Sequence, residues 1–336
     1  MADNDEIPDG SPPPPPRTII WTASGCSVAK PSNDILGPGG VGGMRKNEDR
    51  LRLVEIENVL LAAVADGAGS SGLYCGQWAQ ALLDNLTKSP IRSLGGLSRW
   101  MDGFWKTFAT SARAQAAPFP AKFTKLVKEG SCSTLAACWM RTNDNGGVDL
   151  RWLGYGDSLF AAFQWQDGEL VMVACNPTSL GLFDRAPYLL NWKDLPAASS
   201  LHLGNMSLPP GTIVVLGSDG LGQFILLRFL TALNARDADA EPVTGPARAL
   251  LDEYRRMVQT GGSKMADAAR RHIAVPCVDF AADLEELRMA LDSEAAFAER
   301  VRYWHGQGLL VNDDATLILI DVSTVEDGEI IDEILI

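Results

Sequence analysis

Short apolar stretches separated by turn residues recur along most of this chain. Their length and their apolar, often β-branched character predict strands at residues 18–24, 51–56, 59–65, 133–140, 148–153, 159–165, 169–174, 211–217 and 315–322. Asn-Asp-Asn-Gly-Gly and Gln-Asp-Gly sequences lie between the runs from 133 to 174. Because such turns connect neighbouring antiparallel strands, we predict an antiparallel meander there.

Helical spacing of apolar residues marks three further regions. Residues 72–88 and 97–115 carry large aromatic side chains at this spacing, and residues 281–305 carry an apolar face. We expect the aromatic side chains to pack between helices and sheets. Residues 176–211 are rich in proline and short polar pieces, which predicts a loop or flap. Antiparallel strands with helices on their outer faces predict an α+β layered domain.

The two ends of the chain differ in composition from its middle. Residues 1–16 combine acidic residues with five consecutive prolines, Pro12 to Pro16, which predicts a disordered, locally polyproline tail. Residues 324–336 are acidic and apolar, and we treat them as a C-terminal acidic tail. The folded domain is therefore predicted to span residues 17–323.

Charge and composition narrow the class of protein. A formal net charge of −13 over 336 residues argues against a nucleic-acid partner, since phosphate backbones are bound by concentrated Lys and Arg. The chain has no apolar run long enough for a membrane span, and its first residues are acidic, unlike a secretory signal. Its six cysteines are scattered without a Cys-x-x-Cys pair, which favours reduced thiols. We therefore predict a cytoplasmic protein without a membrane partner.

Two of the apolar runs end abruptly in an aspartate followed by glycine. Asp66-Gly67 follows Val-Leu-Leu-Ala-Ala-Val-Ala, and Asp219-Gly220 follows Thr-Ile-Val-Val-Leu-Gly-Ser. Burying an unpaired carboxylate costs several kcal/mol, so each aspartate requires a cation, hydrogen-bond donors or open water. The glycine lets the chain turn and brings a backbone carbonyl close to whatever the aspartate binds.

Three more acidic groups lie before or between predicted strands. They are Asn47-Glu48-Asp49, Gly156-Asp157-Ser158 and Asn312-Asp313-Asp314. One Asp-Gly pair is simply a common turn, but five acidic groups at separate strand ends of one domain indicate a binding site. We call these five groups the acidic stations. Carboxylate oxygens without accompanying Cys or His favour hard divalent cations such as Mg or Mn.

These motifs occur in a fixed order from about residue 20 to residue 323. The series is Asn47-Glu48-Asp49, Asp66-Gly67-Ala68-Gly69, Gly130-Ser131-Cys132-Ser133-Thr134, Gly156-Asp157-Ser158, Ser218-Asp219-Gly220-Leu221 and Asp313-Asp314-Ala315-Thr316. It resembles the metal-dependent protein phosphatases, the type 2C Ser/Thr phosphatases, in their bacterial form. The resemblance implies a four-layer α-β-β-α sandwich of two antiparallel sheets flanked by helices, with the acidic stations at one edge.

The resemblance also implies how Mg or Mn would be held. Asp66 would bridge two ions, with the Gly67 carbonyl and Glu48 completing one site. Asp219 and Asp313 would complete the other, and most remaining positions would be waters. Asp157, together with Asp219, would hold a third, weaker ion. The interval between Asp219 and Asp313 is longer than in compact bacterial members, which predicts a helical insertion around residues 235–308.

The catalytic group implied by the resemblance is Asp66, Asp219, Asp49 and Arg45. Asp49 would accept a hydrogen bond from a water of the metal shell, and Arg45 would bind the phosphate. Arg45, however, lies three residues before Glu48, whereas the family's arginine lies four before, at Met44 in this chain. On an extended strand this change of parity turns Arg45 away from the Glu48 face, so a bulge must restore it or Lys46 substitutes.

Two further positions depart from the family pattern. Ala68 stands where many eukaryotic members have a histidine that can act as a general acid, and bacterial-type members often lack that histidine. Leu159 follows Gly156-Asp157-Ser158 where an arginine is common. We expect the second change to affect packing and charge pairing rather than metal binding.

The leading hypothesis from the sequence is a Mg- or Mn-dependent phosphatase that hydrolyses phosphoserine and phosphothreonine in proteins by a metal-activated water. Its substrate would be a phosphoprotein, the product of a cognate Ser/Thr kinase. Two alternatives stay open. One is a pseudophosphatase or regulatory binding module of the same fold, suggested by the displaced arginine. The other is a small-molecule phosphomonoesterase.

Overall fold

The computed structural model describes residues 17–31, 47–143, 147–236, 243–277 and 279–326. Within these ranges the strands are β1 Arg17–Val28, β2 Arg50–Ile56, β3 Val59–Ala65, β4 Cys132–Ser133, β5 Leu135–Thr142, β6 Val148–Tyr155, β7 Leu159–Gln166, β8 Glu169–Asn176, β9 Leu190–Asn191, β10 Leu201–Leu208, β11 Thr212–Gly217 and β12 Ala315–Glu326. The helices are α1 Cys75–Asp84, α2 Leu94–Asp102, α3 Trp105–Ala116, α4 Pro120–Glu129, α5 Asp219–Ala235, α6 Gly245–Thr260, α7 Lys264–Ala274, α8 Phe280–Ala290 and α9 Glu294–Gly306.

The strands form two five-stranded antiparallel sheets. The first has the order β1-β12-β11-β7-β8 and the second has the order β10-β6-β5-β3-β2. A short pair, β4 with β9, lies apart from both. The predicted four-strand meander is wrong in one respect, because β5 and β6 form an antiparallel hairpin in the second sheet and β7 and β8 form another in the first. The chain therefore changes sheet between β6 and β7, where Asp157 lies.

Three apolar layers show how the sheets and helices are stacked. In β3, Leu60, Ala62 and Val64 face the layer between the two sheets, whereas Leu61 and Ala63 face the helices on the other side. Alternate residues of β11 divide in the same way between the sheet-sheet layer and the second helical layer. Strands buried on both faces explain the continuous apolar runs in the sequence. The predicted α+β, four-layer α-β-β-α architecture is confirmed.

Helices α1 to α4 cover the second sheet, and helices α5 to α9 cover the first. Trp78 of α1 is fully buried and packs against Phe104 and Phe108, as expected for core aromatics. The helices from α6 to α9 share one apolar core with the first sheet. Residues 243–277 and 279–306 are thus part of the outer layer of the domain, while their status as an insertion relative to the family stays a prediction.

The structure corrects one further local prediction and refines two others. Residues 176–211 are not only a loop, because Leu201–Leu208 forms the edge strand β10 of the second sheet. The helical region predicted at 281–305 consists of two helices, since Ser293 caps a new helix with its hydroxyl accepting from Ala296 N. The segment 97–115 is also divided, at Gly103, into α2 and α3. Helix α4 was not predicted.

Some predictions about the chain ends and compartment are left untested. Residues 1–16 and 327–336 lie outside the described residues, and β12 runs to Glu326, past the domain boundary predicted at residue 323. None of the helices in the described part of the chain has the length and apolar character needed to cross a membrane. The six cysteines are free thiols, five of them buried.

Candidate metal centre

Acidic side chains from separate elements meet at one edge of the sandwich. Asp66 follows β3, and its pKa is raised well above its usual range by burial and then by neighbouring negative charges. Those charges are Asp49, Asp219, Asp157 and Asp313. The same edge thus collects the start of β2, the β6–β7 turn, the start of α5 and the start of β12. The structure thus brings these five aspartates to one edge, and their functional roles stay predictions.

Asp66 and Asp219 interact directly within the cluster. The charge of Asp219 raises the pKa of Asp66, and a side-chain hydrogen bond from Asp66 partly opposes the rise in the pKa of Asp219. Asp219 is the first residue of α5, and its Oδ1 also accepts from Gly220 N. A helix N-terminus favours a negative charge, so α5 helps to hold this carboxylate at the site.

Burial and mutual repulsion raise the pKa values of the other members as well. Burial, opposed in part by a hydrogen bond from Ser218, raises the pKa of Asp49 to about 7. Burial and the charge of Asp219 raise the pKa of Asp157 to about 7. Burial and the charge of Asp313 raise the pKa of Asp219 to about 6. Carboxyl groups that resist ionisation at neutral pH in one another's presence are poised to be stabilised by an external cation.

A chain of hydroxyl groups orients Asp49. Thr316 Oγ1 donates to Asp49 Oδ2 over 3.0 Å. Because the Thr316 hydroxyl uses its one proton for Asp49, Ser27 Oγ must donate to Thr316 Oγ1. Asn47 Nδ2 in turn donates to Ser27 Oγ. These residues come from β1, the segment before β2, and β12, so the network fixes Asp49 relative to both sheets.

Asp314 has a structural role that the sequence analysis did not assign. Its two carboxylate oxygens accept from Lys30 N, at 2.9 Å, and from Glu48 N, at 2.8 Å. Asp314 therefore fixes the backbone at Glu48, while its neighbour Asp313 is exposed and faces the cluster. The consecutive acidic pair before β12 was the available signal, since successive residues of an extended segment point to opposite sides.

The turn after β3 is held by the Ser-Thr sequence that precedes β5. Asp66 N donates to Thr134 Oγ1, and Thr134 N donates back to Asp66 O. Thr134 Oγ1 is also hydrogen-bonded to Ser158 Oγ, next to Asp157. A single threonine thus ties together the two turns that carry Asp66 and Asp157.

Glu48 lies against a turn made of glycines. A Cβ added at Gly69 would overlap Glu48 Oε2, and one added at Gly67 would stand 2.8 Å from Glu48 O. At Gly76, in α1, it would stand 3.0 Å from Glu48 Cα. These positions need glycine because the backbone of the turn passes so close to Glu48. Glu48 therefore lies beside the Asp66-Gly67 turn, and its role as a metal ligand together with the Gly67 carbonyl stays a prediction.

The remaining predicted site residues are placed as follows. The Gly67 carbonyl accepts a hydrogen bond from Gly69 N, which leaves its second lone pair available. Leu159 is fully buried and packs against Gly222 of α5, as expected for a packing position. Met44, Arg45 and Lys46 lie outside the described residues.

The oxygen donors of this cluster suit a divalent cation that keeps several water ligands better than an ion coordinated by protein side chains alone. Among the residues that the structure describes, no three His, Cys, Asp or Glu side chains converge closely enough to hold a metal ion by themselves. Mg-type ions, however, keep several waters and need only one or two carboxylates. Asp66 and Asp219 would supply those carboxylates, and a bound cation would neutralise their charge in this buried setting. The residue-by-residue metal roles stay predictions.

No model of a known protein family matches the chain, and neither does the sequence of any curated protein. Solved structures do match over most of its length. RsbX in complex with magnesium is 12% identical, with 90% of this chain and 96% of that chain covered and a TM-score of 0.41. The catalytic domain of the serine threonine protein phosphatase PstP, in complex with two manganese ions, is 18% identical, with 92% and 100% covered and a TM-score of 0.40.

A third match is PppA, described as a key regulatory component of the T6SS in Pseudomonas aeruginosa. It is 14% identical, with 91% of this chain and 100% of that chain covered and a TM-score of 0.43. These matches are type 2C phosphatases, the family that the motif series resembles. Because identity and TM-score are both low, the function proposed below rests on the acidic cluster itself.

Proposed function

We propose that the chain is a divalent-metal-dependent phosphatase that hydrolyses phosphoserine and phosphothreonine in cytoplasmic proteins. One observation carries this proposal. Five aspartates from distant parts of the sequence meet at one edge of the sandwich, where burial and the charges of their neighbours raise the pKa values of Asp66 and Asp219. Such a cluster is costly for folding alone, so its arrangement favours a binding role.

The chemistry of a phosphate monoester explains why carboxylates suit this reaction. The anionic ester repels a hydroxide, and its alkoxide is a poor leaving group. Divalent cations, when bound, lower the pKa of a coordinated water and neutralise charge on the phosphoryl oxygens. Mg or Mn suits the all-oxygen donor set. We assign two ions to Glu48, Asp66, Gly67, Asp219 and Asp313, with a third, weaker site at Asp157.

The chain's own residues have distinct tasks in this scheme. Asp66 and Asp219 supply the paired carboxylates that hold the cations. Asp49, fixed by Thr316, accepts a hydrogen bond from water at the site and orients it. The described residues show no Cys or Ser with an adjacent His base at this cluster, so we propose direct attack by water, without an enzyme-phosphate intermediate.

Phosphate capture is assigned to Arg45, with Lys46 as the substitute. If Arg45 binds the phosphate, Arg45→Ala should raise KM for a phosphopeptide strongly while Lys46→Ala has little effect. The reverse ranking would transfer the role to Lys46, and no effect in either variant would show that neither side chain contacts phosphate.

The test of the function is metal-dependent turnover. The chelated protein should hydrolyse neither a phosphoserine peptide nor para-nitrophenyl phosphate, and added Mn should restore both activities. Single-turnover hydrolysis in oxygen-18 water should place the label in the released phosphate. Metal binding without any turnover would instead support a pseudophosphatase, and turnover of metabolite phosphates alone would support a small-molecule phosphomonoesterase.

A further inference from the structure

Helix α4 carries an apolar stripe that faces solvent. Phe119, Phe123 and Val127 follow one another at intervals of one helical turn and are 52%, 39% and 48% exposed. We call these three residues the α4 patch. On the same helix Leu126 is fully buried in the core of the second sheet, so the helix is packed on the domain and its stripe is a second apolar face that the described residues leave exposed.

Lysine side chains surround the α4 patch, although the net charge of the chain is −13. Lys122, Lys125 and Lys128 lie on α4, with Glu129 as its single acidic residue. Lys122 Nζ stands 4.6 Å from the centre of the Phe119 ring, so positive charge lies directly beside the apolar stripe. An occupant of this surface should therefore be apolar and acidic at once.

One segment of the chain has that composition. Residues 327–336 have the sequence Asp-Gly-Glu-Ile-Ile-Asp-Glu-Ile-Leu-Ile, with five apolar residues, four acidic residues and no basic residue. They follow β12 directly, and the described residues end at Glu326. Charge and apolarity both match the α4 patch, which distinguishes this segment from the proline-rich residues 1–16.

The geometry limits contact within one copy. Glu326 ends β12 in the first sheet, whereas α4 lies on the outer side of the second sheet. Facing sheets are about 10 Å apart, and a helical layer adds about the same distance. Ile330 and Ile331 can be at most about 14 Å and about 18 Å from Glu326 along an extended chain, so neither can reach the α4 patch of its own copy. Only the last three residues of the segment have that reach, whereas a second copy can receive all five apolar residues.

We propose that residues 327–336 of one copy dock on the α4 patch of a second copy, so that the chain self-associates. Apolar side chains of the segment cover Phe119, Phe123 and Val127, and its carboxylates face the lysines of α4. The contact is separate from the acidic cluster, and it holds whether or not the chain is a phosphatase.

Sedimentation of the full chain tests this proposal. Self-association should increase with concentration, weaken at high salt because the charges are exposed, and be competed away by a synthetic peptide of residues 326–336. Phe123→Asp should weaken self-association about tenfold or more. Met289→Asp is the matched control, because Met289 is a 55% exposed apolar residue on α8, and it should leave self-association unchanged.

A complementation experiment makes the test specific to these two surfaces. Phe123→Asp removes the α4 patch, and the double variant Ile331→Asp, Leu335→Asp removes the segment, so each should be monomeric alone. An equimolar mixture should form a heterodimer, because one intact patch then meets one intact segment. A monomeric wild-type chain, or a mixture that stays monomeric, would overturn the proposal. So would binding of phosphatidylserine vesicles through Phe123 without any peptide binding, because the patch would then be a membrane surface.

Discussion

The protein buries two clusters of charged residues, and they are built on opposite rules. At the edge of the sandwich, the aspartates of the acidic cluster repel one another. In the outer helical layer, Arg228 is 9% exposed and donates to both carboxylate oxygens of Asp283 and to Val275 O. Cys277 Sγ donates to Asp283 as well. In the helical cluster Asp283 has a buried cationic partner, whereas the raised pKa values of Asp49, Asp66, Asp157 and Asp219 are caused by burial and by neighbouring carboxylates. A bound cation would therefore stabilise the acidic cluster, and the helical cluster does not need one.

The largest expected effect is the loss of activity when one carboxylate is removed from the acidic cluster. Asp66→Asn takes away the charge shared with Asp219, and kcat for phosphopeptide should fall at least about a thousandfold, the scale of a lost metal rather than a lost hydrogen bond. The metal-free variant should be more stable than the metal-free wild type, because repulsion is relieved. Asp167→Asn, in the β7–β8 turn at a positive φ that asparagine tolerates, is the control. Full activity of Asp66→Asn would refute the assigned role.

Removing a carboxylate from the helical cluster should have the opposite effect on stability. Asp283→Ala leaves Arg228 buried without its partner and should lower the free energy of unfolding by about 3–5 kcal/mol in denaturant titrations. Glu286→Ala on the same helix breaks only a partly exposed pair with Arg300 and should cost about 1 kcal/mol or less. A loss in Asp283→Ala no larger than in Glu286→Ala would mean that the two clusters do not differ as described.

Metal addition should stabilise the protein in a pH-dependent way. The pKa values of Asp49, Asp157 and Asp219 are raised to between about 6 and about 7, so the metal-free native state retains protons that the unfolded chain has released. Its stability therefore falls as pH rises from about 4 to about 7. Mn at about a hundred times its Kd should raise the free energy of unfolding by about 2.7 kcal/mol, which should be measured as a higher Tm at pH 8. The increase should be smaller at pH 5, where protons compete, and an equal increase at both would contradict this linkage.

The smallest expected effect concerns His272, beside Arg228. Its Nε2 is 3.0 Å from Leu309 O, and burial lowers its pKa from 6.5 to about 4. Between these values the unfolded chain binds a proton that the native state does not, so stability is lost as pH falls through this window. Relative to His272→Gln, the wild type should lose about 1 kcal/mol between pH 7.5 and pH 5.5 in urea titrations. Parallel pH profiles of the two proteins would show that His272 does not titrate in this way.

The acidic stations could be predicted because strand ends leave a strong local pattern. Apolar runs that stop at Asp66 or Asp219 can be recognised from a few neighbouring residues, and each run maps onto a strand buried on both faces. The shared site follows once those strands lie in two facing sheets. Asp314 and Thr316 were not assigned, because their partners Lys30, Glu48 and Asp49 are distant in sequence and only the register of β1 with β12 brings them together.

Elements with weak patterns were missed. Strand β10 is half exposed along most of its length and contains Gly204, where a Cβ would overlap the Trp152 ring. Its strand conformation depends on that cross-strand contact, which is not visible locally. Helix α4 has only Leu126 buried, so its apolar periodicity points outward. Pro120 in its first turn and Gly130 at its end were the available signals.

The pairing of β1 with β12 has a consequence for how the protein is made. Residues 17–28 pair along their whole length with residues 315–326, so the first strand of the first sheet has no partner until the last one has been translated. At about 5–20 residues per second, β1 leaves the ribosome about 15–60 s before β12. Asp313 also arrives only at that point, so the nascent chain can complete neither its first sheet nor its acidic cluster until β12 has been translated. Every other strand that the structure describes is therefore made before the first sheet can close.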